Sequence, residues 1–97
     1  MGVRHGREYR DILKDLTEAV GAIGSSYSFF EMSEEEWGEL GVEERSEVME
    51  ALADDVFYGL GVEPVIQVGQ GTVTYHQKFH IIEVAVDGKE VRIVRLT

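Results

Sequence analysis

The run FHIIEVAVDGKEVRIVRLT, Phe79 to Thr97, holds two Val- and Ile-rich segments on either side of Asp87-Gly88. Asp and Gly both tolerate the positive φ that a two-residue hairpin turn demands, so the stretch reads as two antiparallel strands, 79–86 and 89–96. A regular register pairs Val86 with Lys89. It then sets Val84 opposite Val91, Ile82 opposite Ile93 and His80 opposite Arg95 on one face, which is the expected core face. The other face pairs Ala85 with Glu90, Glu83 with Arg92, Ile81 with Val94 and Phe79 with Leu96. That second face ends in four apolar residues, Phe79, Ile81, Val94 and Leu96. A sheet with one wet face carries polar residues there. The patch therefore calls for a cover: the aromatic connection 27–32, the N-terminal helix, or a second copy in a homodimer.

Working backwards, residues 71–76 alternate with period two, and 65–68 is a short strand. The turn between His76 and His80 admits two readings. A three-residue loop puts both imidazoles on one face, where they are weak candidates for a metal pair. A two- or four-residue loop aligns Val73 and Tyr75 with Ile82 and Val84, and the hydrophobic pattern prefers it.

Upstream the period is helical. Tyr9, Ile12, Leu13, Leu16, Val20 and Ile23 mark a helix over 8–23, with Gly24 as its stop. Ser33 and Glu36 fit a capping box, and Met32 and Trp37 occupy the staple positions, so a short helix spans 34–40. Val48, Met49, Leu52, Ala53, Val56 and Leu60 stripe a third helix, 42–58, ended by Gly59 and Gly61. The expected fold is a single α+β domain over 1–97. Its helical half (1–61) packs on an antiparallel sheet of three to four strands (62–97).

Ninety-seven residues, 43% hydrophobic and 29% charged, describe an ordinary globular chain. With no cysteine there is no disulfide, thiolate metal site or thiol nucleophile. No apolar run has the length of a membrane span, and the basic N-terminus lacks a signal-peptide core, so a cytoplasmic location is expected. The charge is unevenly placed. Residues 31–55 hold eleven acids and one base, Arg45, which accounts for the whole net charge of −10. Such a chain does not bind nucleic acid directly, because that needs a cationic footprint.

Catalytic chemistry finds no motif. Gly59-Leu60-Gly61 lacks the third glycine and the preceding strand of a dinucleotide fingerprint. No Walker motif or Gly-x-Ser-x-Gly elbow is present. Asp54 and Asp55 point about 100° apart on a helix and share an ion poorly. No catalytic residue, cofactor or metal is expected. The segments MSEEEW (32–37), ADDVFYGLG (53–61) and VGQGTVTY (68–75), with HIIEV (80–84), resemble a small bacterial protein family without assigned activity. The resemblance covers 31–97 and implies an uncharacterised cytoplasmic protein.

The leading functional expectation is a non-enzymatic interaction or regulatory module. It would offer residues 31–55 to a basic protein partner through Glu43, Glu47, Glu50 and Asp54, with Trp37 as an aromatic anchor. One alternative is a nucleic-acid mimic that inhibits a DNA-binding protein. The other is a small enzyme or ligand-binding protein with a pocket between sheet and helices near Tyr75, His80 and Arg95.

Overall fold

The computed structural model describes residues 3, 5–23 and 30–97. Gly24 as a helix stop, and Tyr27 and Phe29 of the aromatic connection, lie outside the described residues. Among the described residues three α-helices come first: α1 (Tyr9–Gly21), α2 (Glu34–Glu39) and α3 (Val42–Gly59). Four strands follow: β1 (Val65–Val68), β2 (Gly71–His76), β3 (Ile81–Val86) and β4 (Lys89–Arg95). The strands form one antiparallel sheet in the order β1-β2-β3-β4. The fold is α+β, as the hydrophobic periods indicate.

α1 buries Ile12, Leu16, Ala19 and Val20, and α3 buries Met49, Leu52, Ala53, Val56 and Phe57. These meet Val68, Val73, Ile82, Val84, Val94 and Leu96 of the sheet half in one core. Contact between helices and sheet is close. A Cβ on Gly59 would lie 2.7 Å from Ile66, and one on Gly71 would lie 2.7 Å from Ile23 and 3.0 Å from the Ala85 carbonyl. No described helix is long and apolar enough to cross a membrane.

Two of the three hairpins turn as their residues require. Asp87 and Gly88 have φ of 53° and 77°, and Gly69 opens the β1–β2 turn with φ 57°. The β2–β3 connection is a four-residue loop: a 3₁₀ turn over Gln77–Phe79, then His80 in the left-handed region. Strand β3 therefore starts at Ile81, not 79, and Val73 pairs with Val84 and Tyr75 with Ile82.

The β3–β4 register departs from the regular one. Val86 pairs with Lys89 and Ala85 with Glu90, but Val84 pairs with Arg92, Glu83 with Ile93, Ile82 with Val94 and Ile81 with Arg95. Val91 is the extra residue of a β-bulge, and an extra residue exchanges the faces beyond it. Val94 and Leu96 thus enter the core, while Ile93 is 41% exposed. The expected Glu83–Arg92 pair does not form; Glu83 instead bonds His76 at 2.8 Å. Nor does His80 face Arg95: the His80 carbonyl accepts from the Leu96 amide.

The N-terminal segment explains what holds β4 in this register. The amides of Gly6 and Arg7 both donate to the Leu96 carbonyl, the Arg7 guanidinium donates to the Arg95 carbonyl, and α1 packs on β4. The patch expected from Phe79, Ile81, Val94 and Leu96 is accordingly split. Val94 and Leu96 lie under the chain's own N-terminal helix, Ile81 is half-buried, and Phe79 is exposed in the turn.

Candidate functional site

The acidic segment is built by local rules. Ser33 caps α2, its hydroxyl accepting from the Glu36 amide at 3.1 Å while the Glu36 carboxylate accepts from the Ser33 amide at 3.2 Å. At the start of α3 the Gly41 amide donates to the Glu44 carboxylate. Arg45 then ties the helices together. It donates to the carbonyls of Trp37 and Gly38, which end α2, and its guanidinium lies 5.5 Å from the Trp37 ring centre. The one base of the segment is thereby committed to its scaffold. None of α2 is buried, nor are the first two turns of α3.

Glu43, Glu47 and Glu50 are exposed, and among the described residues no ion pair or hydrogen bond engages them. Asp54 is half-buried and accepts a hydrogen bond from the Tyr9 hydroxyl. Burial, then the bond to Asp54 and the Asp54 charge, push the Tyr9 phenol well above its ordinary range. Tyr9 is thus a neutral donor that fixes the Asp54 carboxylate, and the Phe57 ring packs edge-on 5.0 Å away.

Glu47, Glu50, Ala51 and Asp54 of α3 line an open groove of about 420 Å³ with Leu13 of α1, Leu13 half-buried and Ala51 exposed. A second depression of about 360 Å³ continues it past Leu13 and Glu50, where Arg10, Lys14, Thr17 and Glu18 supply the α1 side. Two bases at the N-terminal end are spent locally: Arg7, ahead of α1, pairs with Asp15 at 3.0 Å, and Arg10 on α1 with Glu8 at 2.9 Å.

The structure brings together Glu47, Glu50 and Asp54. It leaves Glu43 on the exposed first turn of α3. Trp37 does not line the groove; it is half-buried against the core beneath Arg45. Leu13, Ala51, Tyr9 and Lys14 were not anticipated as site residues. The helical stripe contained Tyr9 and Leu13 but assigned both to the core, and nothing local marks which of its members stay half-open.

His76 and His80 fall apart, His76 toward Glu83 on the sheet and His80 into the turn. His80 instead shares a cavity of about 440 Å³ with Val3, His5 and Thr97, which neither Tyr75 nor Arg95 lines. Among the described residues no three His, Cys, Asp or Glu side chains cluster as a metal site would require. No protein-family model, curated protein or solved structure matches the chain.

Proposed function

We propose that the chain is a non-enzymatic interaction or regulatory module that docks a basic protein partner on its acidic helical segment, along the α1–α3 groove. The observation that supports this reading is the unanswered charge. Glu43, Glu47 and Glu50 stand free of ion pairs among the described residues, while Arg7, Arg10 and Arg45 are engaged locally. Carboxylates at steps of four and three lie on one helix face, about 5–6 Å apart, and repel one another by a few tenths of a kcal/mol per pair. A Lys- or Arg-bearing partner relieves that repulsion, and the Leu13 and Ala51 side chains that line the groove give it apolar surface to bury. Charge complementarity of this kind orients docking and speeds it.

Affinity capture with the wild-type protein and with Glu43→Lys/Glu47→Lys/Glu50→Lys tests the proposal. The three side chains are exposed, so the variant keeps its core, which circular dichroism checks. Basic proteins retained by the wild type and lost by the variant are expected. Identical sets of retained proteins would remove the acidic segment as a docking site.

A further inference from the structure

Strand β4 has two faces that a core could use, and the bulge at Val91 decides between them. With the bulge, Val94 and Leu96 are buried and Ile93 is 41% exposed. Without the extra residue, Glu83 would pair with Arg92 and Ile82 with Ile93. Val94 and Leu96 would then turn outward, because a one-residue slip flips every side chain. We propose that the N-terminal segment is a register lock. Bound to Leu96 it holds β4 in the bulged register; lifted away, it lets β4 slip by one residue into the regular one.

The lock is made of backbone and charge. The Leu96 carbonyl accepts from the Gly6 amide at 2.6 Å and from the Arg7 amide at 3.1 Å. The Arg7 guanidinium donates to the Arg95 carbonyl and pairs with Asp15 of α1, each at 3.0 Å. Val3, just ahead of them, is buried in the core. A slip carries the Arg95 and Leu96 carbonyls about 3.3 Å along the strand, out of hydrogen-bond reach of a segment that Val3 and Asp15 hold in place. Lock and slipped register therefore exclude each other. By linkage, whatever draws the N-terminal segment away populates the slipped register.

The change is local and its two ends are closely matched. Both registers keep the Asp87-Gly88 turn and the pairs Val86–Lys89 and Ala85–Glu90, so only the residues beyond 90 move. The bulged register buries Val94 and Leu96. The slipped one buries Ile93, removes an unpaired residue from the ladder and sets Glu83 opposite Arg92. Two packings of one segment that each bury aliphatic side chains make a bistable element, which a few contacts from elsewhere can bias.

The chain has no cysteine, so introduced pairs report the register without background. Glu83→Cys/Ile93→Cys closes a disulfide in the bulged register and Glu83→Cys/Arg92→Cys in the slipped one, since only opposed positions meet the required geometry. Glu83→Cys/Arg95→Cys, opposed in neither, reads fraying. With the lock intact the 83–93 product should dominate. Adding Gly6→Pro and Arg7→Ala removes one amide donor and both guanidinium contacts, and should raise the 83–92 yield by roughly tenfold or more. An unchanged 83–92 yield would overturn the proposal, as would an equal rise in 83–95, which means that β4 melts instead of slipping. Should the double substitution unfold the chain by circular dichroism, Arg7→Ala alone decides. A rise in 83–92 without 83–95 supports the lock, and no rise refutes it.

Discussion

Tyr9 shows how one side chain serves both fold and site. Its ring packs against Phe57 and its hydroxyl holds Asp54 at the wall of the groove. Tyr9→Phe keeps the packing and loses the bond, at an expected cost of about 1 kcal/mol by denaturant unfolding. The same bond sets a pH response. Because the folded phenol ionises above its unfolded value, its stabilising contribution is complete below about pH 10 and is lost as pH rises beyond that. Wild-type stability should therefore fall more steeply above pH 10 than that of Tyr9→Phe, as read from urea midpoints. Gly71 is the other sensitive position. A Cβ there would lie 2.7 Å from the buried Ile23 side chain and 3.0 Å from the Ala85 carbonyl, so both must shift and Gly71→Ala should cost about 1–3 kcal/mol in the same assay. Neither role was legible in the sequence. Tyr9 reads as one more member of an apolar stripe, and Gly71 as the first residue of a strand.

Among the elements, those governed by neighbours in the chain were legible and those governed by distant contacts were not. The Ser33–Glu36 box, the Asp87-Gly88 turn and the spans of β1 and β2 follow from adjacent residues. The β4 register does not, because both of its faces are rich in aliphatics. Val91 and Ile93 fit a core as well as Val94 and Leu96 do. The choice falls to the strap of Gly6 and Arg7 on Leu96 and to α1 packing on β4, both contributed from the far end of the chain. Paired substitutions check it. Val94→Asp should destabilise by more than about 3 kcal/mol, because it buries an unpaired carboxylate, whereas Ile93→Asp should cost under about 1 kcal/mol. The reverse order would restore the unbulged register.

Across the whole molecule, charge and exposed apolar surface are segregated. The acids gather on α2 and α3, and the sheet half is balanced. Local repulsion along α3 predicts that Glu47→Gln raises stability by about 0.2–0.5 kcal/mol at low salt, with the gain shrinking as salt increases. A solubilising surface would behave the same way, so stability does not separate it from a docking surface; binding does. The most direct measurement is amide chemical-shift mapping of the labelled protein against a Lys- and Arg-rich helical peptide. Docking along the groove predicts saturable shifts centred on Leu13, Glu47, Glu50, Ala51 and Asp54, abolished by Glu43→Lys/Glu47→Lys/Glu50→Lys. Shifts scattered over every acidic residue, or none at all, would contradict it.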